Sequence, residues 1–239
     1  ERASEELAEV ALGGTAVGTG LNRHEEFPER AIARISEKTG LTFREAENHF
    51  EAQAAKDAYV SVAGALNTLA TSLMKIANDI RWLASGPTGG IGEISVPAIQ
   101  PGSSIMPGKI NPVQNEALMM VCAKVMGNVH TITLGGQHGN LELNVMMPVM
   151  TQTMLESIDV LANALDSFRT RCVDGIDANR ARCRELLELN PSIATALNAE
   201  IGYDKAAEVA KKADREGIPV RQGGVGLGLP TEEEDDEVL

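Results

Sequence analysis

The sequence predicts an all-α protein, a bundle of long helices followed by a small helical domain. Three observations carry that expectation. Apolar residues recur at spacings of three and four over stretches much longer than an ordinary helix. Strand-like alternation is nearly missing, with one weak instance across residues 93–99. Hydrophobic residues make up 43% of the 239 but aromatics only 3%, so the core falls to Leu, Ile, Val, Ala and the nine Met.

The first rod is marked by Tyr59, Val62, Leu66, Leu69, Leu73, Ile76, Ile80 and Leu83, a heptad seam that keeps one face apolar over many turns. Upstream, Thr42 and Glu45 have the form of a capping box, which predicts a start near residues 41–44. Ser85-Gly86-Pro87 predicts the stop. In the second rod, Asn111 serves as the cap and Pro112 as the first helical residue, with Leu118, Val121, Val125, Val129 and Ile132 on one face and Gly135-Gly136 as the end. The third starts near Pro148, carries Met147, Met150, Met154, Ile158, Leu161, Leu165 and Phe168 on one face, and stops at Gly175. Three rods with apolar faces need one another, so residues 1–175 read as a helical-bundle domain.

Beyond Gly175 the helices shorten. Asp177 caps a segment through Leu189, Ser192 opens another after Pro191, and Gly202 and Gly217 divide the remainder. Thr231 and Glu234 form a second capping-box pattern, and the acid run 232–237 reads as a solvated helix end. Residues 176–239 are therefore expected to form a small helical C-terminal domain.

Charge and composition narrow the function classes. Thirty-four acids against twenty-one bases give a net charge of -13, a surface that repels phosphate backbones, so no nucleic-acid partner is expected. No uninterrupted apolar run approaches the roughly 20 residues of a membrane helix, and no cationic leader precedes one. The expectation is a cytoplasmic protein with no membrane partner. Cys122, Cys172 and Cys183 are odd in number and lack metal-ligand spacing; two lie in apolar helical patterns and read as buried reduced thiols. The chain opens on Glu1 inside a helix-like stretch, which reads as a piece of something longer.

One segment stands apart. Between the first two rods lies Gly102-Ser103-Ser104-Ile105-Met106-Pro107-Gly108-Lys109-Ile110-Asn111-Pro112. Two hydroxyls, a lysine and an amide converge on a helix N-terminus, whose free N–H groups and positive dipole end attract anions. Composition alone leaves two readings open here: a carboxylate or phosphate site, or a polar connector ending in a cap. The run from Gly13 to Gly20 follows a helix-like segment and not a strand, which argues against a dinucleotide loop.

Loop 102–112, with Gln114 and Glu116 after it, resembles the signature of the fumarase/aspartase superfamily. Gly13-Gly14-Thr15-Ala16-Val17-Gly18-Thr19-Gly20-Leu21-Asn22, the segment from Asn140 to Asn144, Ala196-Leu197-Asn198, and Ile201-Gly202-Tyr203-Asp204-Lys205-Ala206-Ala207 are similar to further family segments. Gly108 before Lys109, and Gln114 with Glu116, favour the iron-independent fumarase branch. The resemblance implies reversible hydration of fumarate to L-malate with no metal and no organic cofactor. It implies a homotetramer whose central bundle is built from the rods of four chains, with active sites shared between chains. It also assigns roles: Ser103 takes the C3 proton, Lys109 and Asn111 hold the carboxylate, Ser104 adds a hydrogen bond, and Glu116 polarises a histidine.

That histidine is not supplied here. The family's Thr-His and Ser-Ser-Asn segments do not occur in the 239 residues, and His24, His49, His130 and His138 have the wrong neighbours. The chain is thus expected to carry one wall of a site and to be inactive alone. Two alternatives stand beside the hydratase: aspartate ammonia-lyase or a related lyase, and a non-catalytic helical oligomerisation module.

Overall fold

The structure, a computed structural model, describes residues 2–225. Thr231, Glu234 and the acid run 232–237 lie outside the described residues. Two compact units emerge. One joins the chain up to Arg81 with Pro97–Gly175; the other joins Trp82–Val96 with the chain from Ile176 onward.

The first unit opens with α1 (Arg2–Leu7) and the two-residue strand β1 (Glu9–Val10). After the glycine-rich segment come α2 (Phe27–Thr39), β2 (Arg44–Glu45) and α3 (His49–Ala54). β1 and β2 pair in parallel, Glu9 opposite Arg44. This pairing overturns the capping box. The Arg44 and Ala46 amides donate to Ala8 and Val10 carbonyls, so residues 44–46 are extended and no helix starts there. The side chain that caps is Asn48, whose Oδ1 accepts from the amides of Phe50 and Glu51 at the start of α3. Ahead of the segment from Gly13 to Gly20 lies the expected helix, α1, but the two-residue strand β1 intervenes between them. Its glycines serve close packing: at Gly18, φ +100°, a Cβ would lie 2.7 Å from the Phe50 amide nitrogen.

The long rods are α4 (Asp57–Leu83), α5 (Val113–Gln137) and α6 (Met147–Arg171). Their contacts show the directions. Gly135 of α5 meets Met150 of α6, Asn128 donates to Ser157 Oγ, and Ser167 Oγ donates to Gln114 Oε1, so α5 and α6 run antiparallel. Gly136 meets Val60 while Asn115 Nδ2 donates to the Ala77 carbonyl, so α4 and α5 are antiparallel as well. Ala63, Ile132, Met150 and Met154 form a core with Tyr59, Val62, Leu66, Val129 and Met146 against it.

The rods differ from expectation in four ways. The residues of α4 that are fully buried are Ala63, Ala70 and Ala77, one heptad apart, while Leu69 and Ile76 of the seam are exposed. The seam is thus divided: Tyr59, Val62 and Leu66 pack against the core, while Leu69 and Ile76 face outward. Second, Gly135-Gly136 does not end α5: both glycines lie within the helix, and a Cβ on Gly135 would sit 2.5 Å from Met150 Cγ. Third, Asn111 does not cap α5, which begins at Val113 after Pro112. On α6, Met150, Met154, Leu161 and Phe168 are buried as expected, whereas Met147 and Ile158 are exposed. By length and composition α4 and α5 are each apolar enough to cross a membrane over an 18-residue window, although scattered polar residues interrupt both; only 17% and 28% of those windows are buried within the chain.

In the second unit β3 (Ile94–Ser95) pairs antiparallel with β4 (Asp177–Ala178). Asp177 therefore caps nothing; Asn179 does, accepting from the Arg182 amide at the start of α7 (Arg180–Glu188). Arg182 donates to the Ile91 and Gly90 carbonyls, which ties residues 82–96 to this unit. A 3-10 turn (Pro191–Leu197), α8 (Asn198–Ile201), α9 (Tyr203–Glu216) and α10 (Val220–Val225) come next, divided at Gly202 and Gly217 by positive φ. Their core is Ala194, Leu197, Ala206, Val209, Ala213 and Val220.

Candidate active site

Loop 102–112 leads into α5, and its backbone closes on itself. The Gly102 amide donates to the Lys109 carbonyl at 2.8 Å, and the Asn111 side-chain amide donates to the Gly102 carbonyl at 2.9 Å. Asn111 therefore seals the base of the loop, and its Oδ1 makes no cap bond to the start of α5. Gly102 is required there, since a Cβ would fall 2.5 Å from the Lys109 oxygen.

Inside the closed loop, Ser103 Oγ accepts from the Ile105 and Met106 amides at 3.2 and 3.1 Å. Two N–H dipoles converge on the hydroxyl oxygen, an arrangement that favours negative charge on it. Ser104 and Lys109 are exposed. Lys109 makes no ion pair among the described residues, so its charge is open to a ligand. Ser103, Lys109 and Asn111 are thus brought into one turn of chain, at the electropositive end of a 25-residue helix.

Glu116 lies in the first turn of α5, pointing to a different neighbour. Its Oε1 is 3.9 Å from Nη2 of Arg81 in the last turn of α4, and each side chain is 40% exposed. The residues before it are anchored too. Gln114 Oε1 accepts from Ser167 Oγ on α6. Asn115 is fully buried, donates to the Ala77 carbonyl at 3.0 Å and accepts from Cys172 Sγ at 3.4 Å. Burial pushes the Cys172 thiol up, which keeps it protonated as a donor. Three consecutive residues are therefore each held by another helix, giving the loop a rigid mount.

Sequence reasoning missed Arg81 and Asn115. For Asn115 the signal available was a polar residue on the apolar face of the second rod. The four histidines stay apart from the loop's hydrogen bonds. His49 Nε2 lies 3.1 Å from Glu45 Oε1 and 3.3 Å from the Leu12 carbonyl, and His24, His130 and His138 are exposed. Two larger cavities, about 650 and 720 Å³, are lined by residues such as Arg23 and Gln53, and Lys56 and Tyr59; neither includes a residue of the loop. No cluster of three or more metal-ligating side chains occurs among the described residues.

Comparison with known proteins gives this arrangement its context. A lyase family model matches residues 1–127, and a model of the fumarase C C-terminus matches residues 193–239. The chain is 55% identical over 98% of its length to class II fumarate hydratase of Thermus thermophilus, covering 50% of that protein. It is 53% identical over 98% of its length to the mitochondrial fumarate hydratase 1 of Arabidopsis thaliana, covering 47% of it. The crystal structure of class II fumarase from Schistosoma mansoni superposes with a TM-score of 0.91 at 36% identity, over 99% of this chain and 54% of that one. The chain thus spans about half the length of the curated relatives it matches. The match over more than half of its residues, signature loop included, makes it a member of the lyase family to which the class II fumarate hydratases belong.

Proposed function

We propose that this chain supplies the signature-loop wall of a fumarate hydratase, an enzyme that reversibly hydrates fumarate to L-malate. The single observation that carries the reading is the closed loop, with two amides aimed at Ser103 Oγ and an exposed Lys109 that makes no ion pair among the described residues.

The chemistry follows from those groups. In the dehydration direction Ser103, as its alkoxide, removes a proton from C3 of malate. The electron pair left behind delocalises into the neighbouring carboxylate, which becomes doubly negative. Lys109 meets that charge as a point cation, and Asn111 can donate the amide hydrogen it does not spend on Gly102. Hydroxide then leaves C2 with a proton from a histidine outside this chain, polarised by Glu116. Serine is a weak base, so its role requires the Ile105 and Met106 amides and Lys109 together, in a site closed to water.

The same proposal covers assembly. Leu69 and Ile76 of α4, Met120 and Leu134 of α5, and Leu155 and Ile158 of α6 are exposed large apolar residues on the rods. Their burial by the rods of other copies in a homotetramer accounts for two helices so apolar and so little covered within one chain. A cytoplasmic location belongs to the proposal as well.

The test uses the assembled full-length enzyme. Ser103→Ala is expected to lower malate dehydration by at least about a hundredfold, the scale of a lost acid–base group. Fumarate formation from malate should exceed that from aspartate. Unchanged turnover in Ser103→Ala, or faster turnover of aspartate, overturns the reading.

A further inference from the structure

The mount beneath the loop carries an inference about Arg81, and it rests on the hydratase reading above. Its guanidinium crosses from the last turn of α4 to the first turn of α5. Nη2 faces Glu116 Oε1 at 3.9 Å while Nη1 reaches Met119 Sδ at 3.8 Å. These two contacts, one turn apart on the same face of α5, place the guanidinium over the first turn of that helix.

Both charges sit where the helix dipoles favour them, a cation in the last turn of α4 and an anion in the first turn of α5. Their relative position is also imposed from below. Asn115 ties the start of α5 to the Ala77 carbonyl, one turn before Arg81, so the two helix ends cannot slide past each other without breaking a buried hydrogen bond. Each side chain is nonetheless 40% exposed, which leaves the carboxylate an open face.

A carboxylate that polarises a histidine must present one oxygen in a fixed direction, because the imidazole's tautomer and orientation are set by that bond. Left alone, a glutamate two-fifths exposed samples several rotamers. We propose that Arg81 is a positioning residue for Glu116: by holding Oε1 it turns the other oxygen toward the group that Glu116 serves. Arg81 touches no reacting atom, so its effect is transmitted through Glu116 alone.

This makes a coupling measurable in the full-length enzyme. Arg81→Met, which keeps the aliphatic stem, is expected to lower kcat for malate by at least about tenfold with KM within about twofold, as a misoriented catalytic group does. Arg81→Lys, which keeps a charge without the planar guanidinium, should recover part of the loss. In a Glu116→Gln background Arg81→Met should have less than about a twofold further effect, since nothing remains for the guanidinium to orient. Equal losses in both backgrounds, or a fall in the thermal midpoint that tracks the fall in kcat across the Met and Lys variants, would assign Arg81 a structural role and overturn the proposal. Full activity of Arg81→Met alongside inactive Glu116→Gln would overturn it while sparing the hydratase reading. Full activity of both Ser103→Ala and Glu116→Gln would remove that reading and this proposal together.

Discussion

Asn111 and Asn115, four residues apart, perform the two jobs on which the site depends, and neither is the capping job that residue type suggests. Asn111 closes the loop by donating to Gly102, and Asn115 disappears into the interior between α4 and α6. Sequence could identify which residues the loop contains but not which hydrogen bonds they choose. An asparagine before Pro112 satisfies the cap pattern equally well, and only the turn geometry of residues 102–109 decides against it. The prediction at this scale concerns Asn115, whose two polar ends are both paired and fully buried. Asn115→Ala should cost about 1–3 kcal/mol, by removing a buried hydrogen bond and leaving a void. Urea denaturation of the full-length enzyme checks it, and a change under half of that would show that the α4–α5 junction is held by other means.

At the scale of elements, what sequence showed well was periodicity. The three rods, their apolar residues and the division at Gly202 and Gly217 were all legible, because a heptad repeated over several turns is a long-range pattern that one local accident cannot erase. Starts and stops were not. Thr42 with Glu45 and Asp177 both look like caps, but Glu45 and Asp177 are drawn into two-residue strands by partners 35 and 82 positions away, Val10 and Ser95. Tertiary pairing of that kind leaves no local trace. Nor did glycine in α5 mean an end; Gly135 persists in the helix because Met150 occupies the space a side chain would need. Gly135→Ala weighs a helix-propensity gain of about 1 kcal/mol against an overpacking cost of about 1–3 kcal/mol. With the obstructing atom at 2.5 Å the cost prevails, and a net loss of stability is expected in the same denaturation assay. A stabilised variant would show that the α5–α6 contact is slack.

For the whole molecule, the inward and outward faces of α4 give the clearest account. A seam of leucine and isoleucine suggested the chain's own core; Tyr59, Val62 and Leu66 do pack there beside the fully buried Ala63, whereas Leu69 and Ile76 farther along stay exposed. A single sequence cannot say which apolar face meets its own neighbours and which meets another copy, because both require the same residue types. The site shows the same division. The loop, its amide pair, Lys109 and Glu116 are present, whereas the histidine on which the hydration reading depends is not among them.

The central claim is that loop 102–112 grips one carboxylate of a dicarboxylate substrate. A crystal structure of the assembled full-length enzyme with malate or a non-reactive dicarboxylate bound tests it most directly. The account places Lys109 Nζ and Asn111 Nδ2 within hydrogen-bonding reach, about 2.7–3.2 Å, of the same carboxylate, with Ser103 Oγ facing the carbon that carries the proton. A dicarboxylate bound in the assembled site with Lys109 turned into solvent would contradict it.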